Sequence, residues 1–145
     1  MIKYCLKKWD ENKDDLELAL RRYSNINCCD YRDLVKLVTK NILGDEWDAE
    51  KITEIDDGHY QGTLLFLIPM NTYQPSEYEY LATFVNYGSC SVCDTLQGIQ
   101  DYSDEPATEE QIKCFMALCK DIVANMRKPF NNGWRNEPEF EEVVG

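Results

Sequence analysis

Basic residues are absent from the middle third of this 145-residue sequence. Residues 52–112 contain no Lys or Arg, although they contain eleven of the 27 Asp and Glu residues. Residues 1–51 and 113–145 carry net charges of −1 and zero, so residues 52–112 carry −11 of the total charge of −12. Because nucleic-acid binding needs clustered Lys and Arg to neutralise phosphates, the sequence argues against direct nucleic-acid binding.

A hydrophobic stretch that could span a membrane is also missing. The longest apolar run, residues 64–70, has seven residues, whereas a membrane-spanning helix needs about 20. The N-terminus has no apolar signal core followed by small residues, so we expect no membrane association and a cytoplasmic protein, located in the cytosol of a host cell. A hydrophobic content of 43% in 145 residues is enough for one sizeable core.

Two helices are predicted in the first fifty residues. Apolar residues recur at helical spacing from Ile2 to Tyr23, and Asn25 interrupts the pattern. Asp30 is a good N-cap for a second helix, and Gly44 is a good stop for it.

Three antiparallel strands are predicted next. Asp57-Gly58 is the preferred dipeptide of a two-residue type I′ turn, so residues 51–56 should pair with residues 59–69 and place Ile55 opposite Tyr60. Residues 64–68 are apolar at every position, which predicts a central strand covered on both faces. Residues 78–87 are rich in aromatic and β-branched side chains and form the third strand.

Two further helices are predicted after the sheet. Ser91, with Asp94 three residues later, is a candidate cap for a short helix, and Thr108 with Gln111 forms the capping box of a longer one. The predicted fold class is α+β, with two N-terminal helices, a three-stranded antiparallel β-meander and two C-terminal helices packed on the sheet. Residues 1–128 would form a single domain, and residues 129–145 a C-terminal tail that is partly docked or flexible.

Seven cysteines raise the question of a metal or redox site. Cys90 and Cys93 form a C-x-x-C pair at a predicted helix start, where a thiol can be activated. Redox chemistry is disfavoured because antiparallel strands, and not a βαβ unit, precede the pair. A zinc site would need more ligands, for which Cys28 and Cys29 are candidates. A structural turn without a cofactor is favoured; a small zinc-binding protein is the alternative.

No catalytic constellation is recognisable. The one histidine, His59, lies beside Asp56 and Asp57 in the predicted hairpin, where turn geometry alone favours Asp-Gly. The sequence contains no Gly-rich phosphate loop, no G-x-S-x-G motif and no H-E-x-x-H motif. We therefore expect a protein that is not an enzyme.

Residues 52–112, which we call the acidic segment, predict binding to a basic protein. Carboxylates without nearby cations project a negative potential, which attracts proteins that normally bind nucleic acid. Tyrosines lie between these carboxylates, and Tyr is enriched at interfaces. The predicted contact residues are Glu54, Asp56, Asp57, Glu77, Tyr78, Glu79, Tyr80 and Asp94. Acidity that serves solubility alone is the competing interpretation, and a homodimeric contact remains open.

Two stretches resemble a known group of proteins. "YQGTLLFLIP" (residues 60–69) and "YGSCSVCDTLQ" (residues 87–97) are similar to segments of small acidic proteins, without an assigned activity, carried by phages and mobile elements of Gram-positive bacteria. The resemblance implies a phage accessory protein. By analogy with other small acidic phage proteins, it implies a nucleic-acid mimic that inhibits a host defence nuclease, of the anti-CRISPR or anti-restriction type.

Overall fold

The computed structural model describes residues 3–56, 58, 62–76, 79–89, 94–101, 103–130 and 133–134. The predicted α+β class and its three-stranded antiparallel sheet are confirmed. The helices are α1 (Lys3–Arg22), α2 (Tyr31–Val38), α3 (Thr95–Ile99) and α4 (Glu109–Ala124). The strands are β1 (Thr53–Asp56), β2 (Gly62–Pro69), β3 (Tyr80–Tyr87), β4 (Pro129–Phe130) and β5 (Gly133–Trp134). Among the helices so described, none is long and apolar enough to cross a membrane.

Helix α2 begins at its predicted N-cap, and the helical backbone that continues from it ends at the predicted Gly44. The Asp33 N–H donates to the Asp30 carboxylate over 2.8 Å, and the Asp30 N–H donates to the Asp33 carboxylate over 3.0 Å, which completes a reciprocal cap. The helix widens into a π-helical turn, Thr39–Leu43, which the sequence pattern did not indicate. Gly44 then ends it with a φ of 92°, a conformation that favours glycine.

Helix α4 packs against helix α1. Its predicted capping box of Thr108 and Gln111 is confirmed. Its buried apolar stripe, which includes Phe115 and Ile122, belongs to the same core as Leu16 and Leu20 of α1. Helices α1 and α4 therefore pack together, although they lie far apart in the sequence.

The register of the β1–β2 hairpin differs from the prediction. Thr53 pairs with Leu67 and Asp56 pairs with Leu64, so a two-residue turn at Asp57-Gly58 is wrong. The predicted register would have paired the apolar centre of β2 with residues 49–51, but these form a 3-10 turn in which the Glu50 N–H donates to Asp48. The observed register instead places β1 against that apolar centre.

The two faces of the sheet differ in their surroundings. Directly paired residues share a face, and one face carries Phe66, Ile68 and Leu81, all fully buried in the core. Apart from Pro69 and Ala82, which are buried, the opposite face carries apolar side chains that are half-buried or exposed and lie outside the core cluster: Ile55, Leu65, Leu67, Tyr80 and Phe84. We call these five residues the apolar sheet face. Within the described residues the core cluster covers only one face of β2, so cover on its second face stays a prediction.

The connection from β3 to α3 is closed by Asp94. The N-cap of α3 is Asp94, whose side chain accepts from the Gln97 N–H, so the helix begins at Thr95. Ser91, the predicted cap, lies outside the described residues. Beyond α4, Arg127 forms a bridge with Ala82 of β3, and β4 pairs with β5 inside the segment predicted as a tail.

Candidate functional site

A cleft of about 330 Å³ lies between the start of α2, helix α3 and the core face of the sheet. Two of the predicted contact residues, Glu54 and Asp56, line it from β1, and Asp30 lines it from the α2 cap. All three are exposed. Carboxylates from β1 and from the cap of α2, which are distant in sequence, therefore line one opening.

Arg32 of α2 partly neutralises this opening. Its guanidinium lies 3.9 Å from the Glu54 carboxylate and also donates to the Ile52 carbonyl oxygen. The Asp56 carboxylate accepts hydrogen bonds from the Tyr87 hydroxyl and from the Gly58 N–H. The predicted residues Glu54 and Asp56 are thus held in defined positions at the rim of the cleft.

Asp94 does not belong to the exposed surface that the sequence predicted. Its side chain is only 4% exposed and forms part of the cleft wall. It accepts from the Tyr31 hydroxyl over 2.9 Å and from the Gly88 N–H over 2.9 Å, in addition to Gln97. Its carboxylate joins α2, the residue that follows β3, and the start of α3, and its role as a partner contact stays a prediction.

Tyr31 completes this internal clamp. Its hydroxyl donates to Asp94 and accepts from the Leu96 N–H over 3.1 Å. Burial, followed by the nearby Asp94 carboxylate, raises the pKa of Tyr31 above its ordinary value, although its hydrogen bond from Leu96 opposes this. The phenol therefore stays protonated and holds the start of α3 in place.

A second acidic group begins where the cleft ends. Gln100 lines the cleft, and the exposed Asp101, Asp104 and Glu105 follow it in a loop that we call the acidic loop. Asn27 holds this loop: its amide donates to the Ser103 carbonyl over 3.0 Å, and its side-chain oxygen accepts from the Asp101 N–H over 3.1 Å. Hydrogen bonds to Asn27 therefore hold the loop that carries these carboxylates in place.

The remaining predicted residues lie in other surroundings. Tyr80 lies on the apolar sheet face, and the Glu79 carboxylate accepts from the Ser76 N–H over 3.0 Å. Asp57, Glu77 and Tyr78 lie outside the described residues. Sequence reasoning overlooked Asp30 as a surface charge, because it treated this residue only as a helix cap. It also passed over the acidic loop as a contact surface.

The cysteines of the zinc alternative are only partly described. Cys28 is exposed and Cys29 is buried, and Cys90 and Cys93 lie outside the described residues. Burial, with the nearby Asp33 and Asp30, raises the pKa of Cys29 to about 12, whereas zinc binds the deprotonated thiolate. Among the residues that the structure describes, no group of three or more His, Cys, Asp or Glu is placed to hold a metal. Zinc binding by Cys90 and Cys93 stays a prediction.

The arrangement is suited to electrostatic recognition. Ionised carboxylates accept charge-assisted hydrogen bonds, and Lys and Arg are the side chains that donate them. Asp101, Asp104 and Glu105 form no ion pair within the described part of the chain. We call the exposed carboxylates of the cleft rim and of the acidic loop together the acidic face. Comparison with protein-family models, with curated proteins and with solved structures gives no match for this chain.

Proposed function

We propose that the protein is a non-enzymatic binding protein that recognises a basic protein through its acidic face. The observation that carries this proposal is the separation of charge: residues 52–112 contain no Lys or Arg, and their exposed carboxylates include the acidic loop and, at the cleft rim, Glu54 and Asp56. A surface of one sign raises the rate of encounter with a partner of the opposite sign. The acidic face therefore favours a partner with a basic groove or patch.

The proposed partner is a nucleic-acid-binding host protein. Such proteins carry the Lys and Arg clusters that an array of carboxylates complements. The resemblance to phage-carried proteins supports a more specific role, in which the protein occupies the nucleic-acid groove of a CRISPR effector or restriction enzyme and inhibits DNA cleavage. Duplex DNA should then compete with the protein for its partner.

The test uses purified CRISPR effectors and restriction enzymes, together with a lysine-rich peptide as a generic basic probe. We expect binding in about 50 mM salt that weakens by at least about tenfold in 500 mM salt, because screening shortens the range of surface charges. For an inhibited nuclease, DNA cleavage should fall in the same conditions.

Matched charge-reversal variants locate the binding surface. Asp104→Lys with Glu105→Lys should weaken binding by about tenfold or more. The control pair, Asp14→Lys with Asp15→Lys, changes exposed acids of α1 by the same total charge and should have a much smaller effect. Absence of binding to every probe at low salt, or equal losses in the two pairs, would contradict the proposal.

A further inference from the structure

The two edges of the three-stranded sheet differ in how far the chain covers them. At the β3 edge, the Ala82 N–H donates to the Arg127 carbonyl over 2.8 Å, and the Arg127 N–H donates to the Ala82 carbonyl over 2.7 Å. At the β1 edge, all four residues of the strand are exposed. Within the described residues no backbone bridge covers this edge, which we call the open edge.

The strand register shows which backbone groups of β1 point outward. Backbone groups of successive strand residues point alternately to the two sides of the strand. Because Ala82 is bonded to Arg127, it points away from β2, and Leu67, directly opposite Ala82, therefore points toward β1. Leu67 is paired with Thr53, so Thr53 bonds to β2, and the next residue, Glu54, directs its N–H and C=O to the open edge.

These two backbone groups of Glu54 can bond to another strand. Neither has a hydrogen-bond partner within the described part of the chain. The Ile52 carbonyl, two residues earlier on the same side, already accepts from the Arg32 guanidinium. An added strand would therefore pair with Glu54 and continue toward Asp56, since Arg32 occupies the other end of the open edge. Uncovered strand edges are templates for pairing with another chain.

The charges of β1 favour a basic strand as the occupant. Side chains of directly opposed residues share a face and lie about 5 Å apart, so a Lys or Arg opposite Glu54 would lie beside its carboxylate. Asp56 has its side chain on the same side of β1. Arg32, 3.9 Å from Glu54, is one cation against the three carboxylates of the cleft rim. A second copy of the chain, paired about Glu54, would place acid opposite acid, which destabilises a strand pair.

We propose that the basic partner binds as an extended strand, added antiparallel to β1 at the open edge. This inference rests on the proposed function and adds the form in which the partner binds. The strand would carry basic residues opposite Glu54 and Asp56. Between them it would carry an apolar residue opposite Ile55, whose side chain lies on the other face and is 47% exposed. Backbone hydrogen bonds to Glu54 would supply affinity, and the carboxylates would select the sequence and the register.

The experiment compares three short peptides of alternating Lys and Val, equal in length and charge. One is unmethylated, the second is methylated on the backbone nitrogens of its Lys residues, and the third on those of its Val residues. A Lys opposite Glu54 directs its N–H to the protein, whereas the N–H of the adjacent Val points to the solvent. We expect Lys methylation to weaken binding to the unaltered protein by at least about tenfold, and Val methylation by less than about threefold.

Variants of Glu54 separate the backbone contribution from the charge. Glu54→Gln keeps the N–H and removes the carboxylate, whereas Glu54→Pro removes both, at an edge position where proline is tolerated. We expect the Pro variant to bind the unmethylated peptide at least about fivefold more weakly than the Gln variant. Hydrogen exchange gives a readout that needs no variant. The Glu54 amide should exchange rapidly in the free protein and at least about tenfold more slowly in the complex.

Other outcomes overturn the inference. Equal losses from the two methylated peptides, or a larger loss from Val methylation, would leave charge recognition standing without antiparallel strand pairing. Absence of binding by the unmethylated peptide at low salt would remove the proposed function itself. A Glu54 amide that is already protected in the free protein at every concentration would show that the chain covers this edge itself. Protection that rises with protein concentration would assign the edge to a second copy.

Discussion

At the scale of single residues, burial decides whether a carboxylate of the acidic segment stabilises the fold or faces the solvent. Asp94 and Asp56 both line the cleft and both accept a hydrogen bond from a tyrosine hydroxyl, yet Asp94 is buried and Asp56 is exposed. A buried charge requires several donors, and Asp94 has three. Its charge is therefore committed to the fold, whereas that of Asp56 faces the solvent.

The Tyr31 hydroxyl provides a test of this internal clamp. Tyr31→Phe should lower the free energy of unfolding by roughly 1–3 kcal/mol, because it leaves the Leu96 N–H and one bond to Asp94 unsatisfied. Urea unfolding measures this loss. Tyr73→Phe, at a side chain that is 88% exposed, is the control and should be neutral. Equal stability of the two variants would show that the clamp contributes nothing.

At the scale of elements, local signals allowed the helices to be predicted but did not fix the strand pairing. Asp30, Thr108 and Gly44 act through bonds or dihedral angles within a few residues, so their roles are visible in the sequence. The Asp-Gly signal failed because pairing of β1 with the apolar centre of β2 outweighed the local turn preference.

The candidate site could be predicted only in part, for a related reason. Glu54 and Asp56 are visible as charges, but their meeting with Asp30 depends on how α2 packs beside β1. The separate environments of the two sheet faces also depend on which side the helices occupy. A strand that is apolar at every position does not reveal this.

The end of the π-helical turn provides a test at this scale. Gly44 has φ 92° and ψ −171°, and no atom beyond its two chain neighbours lies within 4 Å of where a Cβ would stand. Gly44→Ala should therefore destabilise the protein through backbone strain alone, by roughly 1–3 kcal/mol in thermal or urea unfolding. Gly98→Ala, at an exposed position inside α3, should be neutral or stabilising. A neutral Gly44→Ala would contradict the strained geometry.

At the scale of the whole molecule, salt bridges connect the balanced N-terminal third to the acidic middle. Arg21 of α1 lies 2.7 Å from Glu109 of α4, and its hydrogen bond and charge lower the pKa of Glu109. The Arg32 guanidinium forms a longer ion pair with Glu54, at 3.9 Å. These pairs offset a small part of the charge, so most of the acidic segment repels itself in the folded state.

This repulsion predicts a stabilising effect of salt. Raising the NaCl concentration from about 20 mM to 300 mM should raise the thermal unfolding midpoint, because screening weakens repulsion among the carboxylates of a chain with net charge −12. Calorimetry across a salt series measures the effect. It should be smaller in the Asp104→Lys, Glu105→Lys variant, and a midpoint that falls with salt would contradict the expectation.

The packing of α1 against α4 also determines when the core can form during synthesis of the chain. The apolar stripe of α1, with Leu16 and Leu20, is synthesised first, whereas its partner α4 begins at Glu109. At about 5–20 residues per second, some 90 residues take roughly 5 to 20 seconds. During that time the part of the α1 stripe that packs against α4 lacks this partner, whereas the π-helical turn Thr39–Leu43, which also packs against α1, is made early. The core can therefore close completely only after α4 has been made, late in translation.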